Sequence, residues 1–148
     1  MRGGQMQVMV VPAAPEHFEK VLTLLGQLWP GRELVREAIF KVYVDNLTSE
    51  VQKYYVACTG DEVVGFITLH IITNLWAQGC LLHIEELVVS EACRSQGIGR
   101  KLIDQAFTLG KERGCRSVEV TSAFHRGKAH HFYEACGFEK KAYHFIHE

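Results

Sequence analysis

An excess of charge of either sign is missing from this 148-residue sequence: sixteen lysines and arginines stand against seventeen acids, a formal net charge of −1. Nothing therefore draws the chain as a whole toward nucleic acid or an anionic membrane, and a bound polyanion would need a local site. Proline is scarce, three in all, while 47% of the residues are apolar, which excludes a disordered chain. No apolar run is long enough to span a bilayer, and MRGGQMQVMVVPAAPEH holds too short a run for a signal peptide. The five cysteines, Cys58, Cys80, Cys93, Cys115 and Cys136, form no C-x-x-C pair and no Cys/His ligand cluster. The expectation is a cytoplasmic protein with reduced thiols and with no nucleic-acid or membrane partner. At this length it is one domain, residues 1–148, around a single core.

What is present is an alternation of strand and helix signals. Gln5 to Val11 is β-branched and apolar and ends at Pro12, which suits a first strand. Pro15 opens a helix carrying Phe18, Val21, Leu22, Leu25 and Leu28 at helical spacing, stopped by Pro30-Gly31. A second helix is expected from Arg32 to Leu47. Val51 to Cys58 and Val63 to Thr73, joined by Thr59-Gly60-Asp61-Glu62, make an antiparallel hairpin. A central strand starts at Gly79, and the helix after it runs from Gly97 to a glycine C-cap near Gly114. Arg116 to Thr121 alternates as a strand, Lys128 to Cys136 is a short helix, and Phe138 to Ile146 is expected to close the sheet. The order β-α-α-β-β-β-α-β-α-β(β) argues an α/β fold with a mixed sheet and helices on both faces.

The joint Arg94-Ser95-Gln96-Gly97-Ile98-Gly99 delivers glycines into a helix N-terminus, where free N–H groups and the helix dipole favour an anion. It is not a Walker A loop, since no Gly-Lys-Ser/Thr follows. Nor is it a dinucleotide fingerprint, whose third glycine would fall at Leu102.

Two motifs carry a family resemblance. The run IEELVVSEACRSQGIGRKLI resembles the signature of the GNAT superfamily of N-acetyltransferases. Ala129-His130-His131-Phe132-Tyr133-Glu134-Ala135-Cys136-Gly137-Phe138 resembles that family's Ala-x-x-x-Tyr-x-x-x-Gly-Phe. The resemblance implies a mostly antiparallel, centrally splayed sheet and acetyl-CoA as co-substrate. It assigns the pyrophosphate to the amides of Gln96, Gly97, Ile98, Gly99 and Arg100, and the pantetheine arm to the backbones of Leu87, Val88 and Val89. Arg94 and Arg100 either add charge-assisted contacts or are solvated loop cations. Where the family pattern often has an asparagine, seven residues before the tyrosine, this chain has Arg126. That arginine either reaches a CoA phosphate or simply starts a solvated helix.

By the same resemblance Tyr133 takes the place of the general acid that protonates the CoA thiolate; its plainer reading is a core aromatic. A phenol and a thiol have ordinary pKa values near enough for proton transfer. For the general base the central strand offers, in order, Glu85, Glu86 and His83. In a regular strand His83 and Glu85 share a face and Glu86 takes the other, a choice that a bulge would reverse. His125, His130, His131, His144 and His147 fit no ligand spacing, so no metal is expected.

The acceptor would be a primary amine of a small molecule or peptide. Family analogy places Trp29, Pro30, Gly31 and Glu33 at one wall of its groove and Tyr143, His144 and Phe145 at the other. The C-terminal half is similar to the subgroup of aminoglycoside acetyltransferases. A non-catalytic acyl-CoA-binding or regulatory module on the same fold is the alternative, and an exposed strand would suit a homodimer.

Overall fold

The computed structural model describes residues 7–148, so the Gln5-Met6 start expected for the first strand lies outside the described residues. Five strands lie in sequence order across one open sheet: β1 (Val8–Pro12), β2 (Gln52–Thr59), β3 (Glu62–Asn74), β4 (Gly79–Val89) and β5 (Val118–Val120). The first four pair antiparallel and β5 joins β4 in parallel. Among the described residues four α-helices complete the fold: α1 (Phe18–Leu28), α2 (Arg36–Leu47), α3 (Ile98–Glu112) and α4 (Gly127–Ala135).

Alternation along the strands divides the apolar side chains between two cores. Ile67, Leu69, Leu82 and Ile84 pack on one face under Ile98, Leu102, Ile103 and Ala106 of α3, with Tyr133 of α4. Phe66, Val88 and Val56 pack on the other face under Phe18, Val21, Leu24 and Leu25 of α1, with Tyr43 of α2. Burying a Leu, Ile or Phe side chain stabilises the fold by roughly 1.5–3 kcal/mol each, so both faces are firmly covered.

Three local differences from the sequence expectation have physical causes. Residues 32–35 are not helical: Gly31 turns the chain with φ +84°, Val35 is extended, and α2 starts only at Arg36, whose guanidinium pairs with Glu19 of α1. Pro15 opens a 3-10 turn, Pro15–His17, that leads into α1. The closing strand over Phe138 to Ile146 does not form; residues 138–148 have no regular secondary structure and all but Phe138 are exposed. The edge that would receive such a strand, β5, is only three residues long and offers too short a ladder.

One irregularity governs the centre of the sheet. Thr68 pairs with Glu86 and Leu69 with Ile84, so Glu85 is an extra residue on β4 opposite no partner. Such a bulge reverses which way the following side chains point. Before it, Leu82 and Ile84 face α3; after it, Leu87 and Val89 face α3, while Val88 faces α1.

Candidate active site

The parallel pairing of β4 with β5 covers only Leu82, His83 and Ile84. From Glu85 to Val89, β4 has no strand beside it on that edge among the described residues, so there it is an open edge of the sheet. An unpaired edge carries backbone N–H and C=O groups that an extended ligand can satisfy. Directly beyond it lies the loop into α3. Ser95 and Gly97 adopt positive φ, +64° and +83°, and no acid stands in the first turn of the helix to compete with an anion. The first N–H groups of α3 therefore meet solvent unopposed, and the side chains of Gln96 and Arg100 are exposed as well. Arg100 pairs along the helix with Asp104 at 3.1 Å, and Arg94 folds back to donate from Nε to the Val89 carbonyl at 3.1 Å.

The two loop glycines serve different ends. A side chain at Gly97 would meet nothing within 4 Å, so its φ is the reason for glycine there. At Gly99 a Cβ would come within 3.0 Å of Phe132 Cζ, so this glycine lets α4 lie close against α3. That approach sets the position of the next residue, Tyr133, buried between Phe132 and Phe138 with ring centroids 5.5 and 5.8 Å away. Burial pushes the Tyr133 phenol up, and the cation of half-buried Arg126 opposes the shift.

On the opposite face a cavity of about 370 Å³ opens between α2 and the sheet. Glu86 and Thr68 lie on its floor, Phe66, Tyr54 and Tyr43 form its inner wall, and Trp29, Arg32 and Glu33 stand among its lining on the loop side. The Thr68 hydroxyl accepts from the Glu86 amide at 2.8 Å and donates to the Glu86 carboxylate, which fixes the rotamer of the acid. Burial pushes the Glu86 carboxyl above the usual range, the Thr68 hydrogen bond pulls it back, and the Glu85 charge adds to the rise. Glu85 itself is exposed and lies 3.9 Å from His70 Nδ1. His83, half-buried, comes within 3.4 Å of the Thr121 hydroxyl; burial lowers its pKa, with the Glu85 charge acting against this.

A family model described as Acetyltransferase (GNAT) family matches residues 19–138. The chain belongs to the GNAT family. Its relatives include the aminoalkylphosphonate N-acetyltransferase of Salmonella typhimurium, 30% identical over 90% of this chain and 86% of that protein. The glucosamine 6-phosphate N-acetyltransferase 1 of Oryza sativa subsp. japonica is 26% identical over 81% of this chain and 73% of that protein. Among solved structures, an aminoglycoside N-acetyltransferase in complex with CoA superposes with a TM-score of 0.87. That match covers 100% of this chain and 98% of the other at 18% identity, and so shows the fold alone.

Within this GNAT chain the structure brings most of the residues named from sequence around one opening. Leu87, Val88 and Val89 lie on the free edge of β4, and Gln96, Gly97, Ile98, Gly99 and Arg100 form the mouth of α3. Ile98 differs from its neighbours in being buried, so it offers its backbone only. Of the three acids and bases proposed on β4, Glu86 alone lines the cavity. Because of the bulge it shares a face with His83, the arrangement opposite to that of a regular strand. Of Trp29, Pro30, Gly31 and Glu33, placed from sequence at one wall of the acceptor groove, Trp29 and Glu33 line the cavity and Pro30 and Gly31 do not. Tyr143, His144 and Phe145 do not line it either; they lie on the exposed C-terminal segment, where the Tyr143 ring sits tilted against Phe124 with centroids 6.4 Å apart. Sequence reasoning missed Thr68, Tyr54, Tyr43 and Phe66. Only Thr68 carried a signal, a hydroxyl between Ile67 and Leu69 in the apolar middle of β3. Among the described residues no group of three His, Cys, Asp or Glu side chains is placed to hold a metal ion.

Proposed function

We propose that this GNAT chain transfers an acetyl group from acetyl-CoA directly to a primary amine, with Glu86 as general base and Tyr133 as general acid. One observation carries the reading: a half-buried, oriented carboxylate on the floor of a cavity, on the strand whose next residues present a free backbone edge. The residues present suit the co-substrate. The open edge from Leu87 to Val89 matches an extended amide-bearing arm, and the uncompensated N-terminus of α3 with Gly97 matches a pyrophosphate. Arg126, half-buried beside Tyr133, supplies a cation on the same side.

Acetyl-CoA, when bound, supplies the acetyl group as a thioester. Glu86, held by Thr68, takes one proton from the incoming ammonium, and burial makes it a stronger base than a solvated carboxylate. The neutral nitrogen then forms the new C–N bond as the C–S bond breaks. Tyr133 gives its hydroxyl proton to the departing sulfur and regains one as the amide nitrogen sheds its second proton to solvent. The products are the N-acetylated amine, the free thiol and one proton. No cysteine is needed as a nucleophile.

A thiol-release assay with acetyl-CoA over a panel of amines tests the reading, together with calorimetry of CoA binding. Release that depends on the amine and disappears in Glu86→Gln supports it. Tight CoA binding with no turnover of any amine would instead favour the acyl-CoA-binding module.

A further inference from the structure

The cavity above Glu86 has a chemical character of its own. Its inner wall is aromatic and aliphatic: Phe66, Tyr43 and Tyr54 from below, Ile39 and Val42 from α2. Both tyrosines contribute ring surface; the Tyr43 hydroxyl donates elsewhere, and that of Tyr54 is held as an acceptor and keeps its proton to donate. Tyr43 donates its hydroxyl to the Ala14 carbonyl at 2.7 Å, and Tyr54 accepts from Asn46 Nδ2 at 2.8 Å. Burial first, and then the Glu16 charge, push the Tyr43 phenol up to about 12, so it stays neutral. The Thr68 hydroxyl is committed to Glu86. With the Tyr43 and Thr68 hydroxyls committed and Tyr54 neutral, the Glu86 carboxylate is the charged group on the cavity floor.

The loop side adds little. Arg32 lies with its guanidinium carbon 5.8 Å from the centre of the Trp29 ring and is followed directly by Glu33, so opposite charges stand together there. Arg36 on α2 is already paired with Glu19.

From this juxtaposition, one carboxylate beneath a wall of aromatic faces, we infer that the acceptor is a monoamine on an apolar aryl or alkyl body. The inference rests on the acetyl-transfer reading above and names its substrate class. An ammonium at Glu86 would be further stabilised by the ring faces of Tyr54 and Phe66, and an apolar body would replace water against α2. A polyhydroxylated polycation would leave hydroxyls and further ammonium groups without partners here, each a desolvation cost. A phosphonate would meet one guanidinium, already over an aromatic ring and next to an acid.

The test compares kcat/KM for 2-phenylethylamine and n-hexylamine with that for kanamycin, spermidine and 2-aminoethylphosphonate, all with acetyl-CoA. The two apolar monoamines are expected to lead by about tenfold or more. Ala38→Trp, at an exposed helix position that also lines the cavity, should raise KM for both and leave the Tm unchanged. Preference for any of the other three amines overturns this inference while leaving acetyl transfer intact, and so does an unchanged KM in Ala38→Trp. Absence of turnover with every amine, with CoA still bound, overturns both readings.

Discussion

Thr68 and Glu86 face each other across β3 and β4, and a single hydroxyl serves both ends of the glutamate, accepting its amide proton at 2.8 Å and donating to its carboxylate. Thr68 is 2% exposed and is the polar side chain that the core retains. A buried hydroxyl with both functions satisfied costs little and removes rotamer freedom from its partner. The acid is thus held ready where regular β-geometry alone would leave it free to swing.

Replacing Glu86 by Gln keeps the shape and the contact with Thr68 but removes the proposed base. Turnover should fall by roughly 10²-fold or more. In the wild type, kcat/KM should decline as pH drops through a pKa above the ordinary carboxylate range, because burial raises it. Above that raised pKa the buried charge disfavours the fold, and below the ordinary carboxylate pKa the penalty is gone. Glu86→Gln should therefore raise the Tm at pH 8 and lose that advantage near pH 4. A variant with wild-type turnover and an unshifted acid limb would exclude Glu86 as base.

Tyr133→Phe separates the acid role from packing. The ring stays between Phe132 and Phe138, so the Tm and the calorimetric CoA affinity should hold while kcat drops about 10²-fold. Unchanged kcat would return Tyr133 to the core as an aromatic and nothing more.

The two loop glycines predict two distinct lesions. Gly97→Ala is strained by its φ of +83° and should cost about 1 kcal/mol of stability with little change in kcat. Gly99→Ala must push Phe132 away and with it Tyr133, so kcat should fall about tenfold or more. Adding Phe132→Leu to Gly99→Ala should recover part of that loss, and no recovery would disconnect the helix contact from the acid.

Phe138 is the last residue of the chain that is not exposed. It packs against Tyr133 and against Phe107, 5.7 Å between centroids. Phe138→Ala should destabilise by about 2 kcal/mol. Deleting residues 139–148, all exposed, should change stability by no more than about 0.5 kcal/mol in chemical denaturation.

The α3 region was legible in the sequence because local rules suffice there. Glycines at the N-terminus, a stripe from Ile98 to Phe107 and Gly114 at the exit specify that helix without reference to the rest of the fold. Tyr133 was legible through its motif. The bulge was not, since Ile84-Glu85-Glu86-Leu87 contains no glycine or proline to mark it, and it follows from how β3 and β4 register along their whole length. The cavity was hidden for a related reason: Tyr43, Tyr54, Phe66 and Thr68 come from three elements and each reads locally as core. Tyr143-His144-Phe145-Ile146 looked like a strand because its composition suits one, yet a strand also needs an edge to join, and β5 ends after Val120.

The extra residue on β4 acts as a change of parity. Up to Ile84, even-numbered side chains face α3; from Leu87 onward, odd-numbered ones do. Excising Glu85 would give a regular ladder in which Glu86 and the leucine and valines after it, each one place earlier, keep the faces they now occupy. The stretches of this strand before and after Glu85 are written in two reading frames of the same pleat, joined at a residue that belongs to neither.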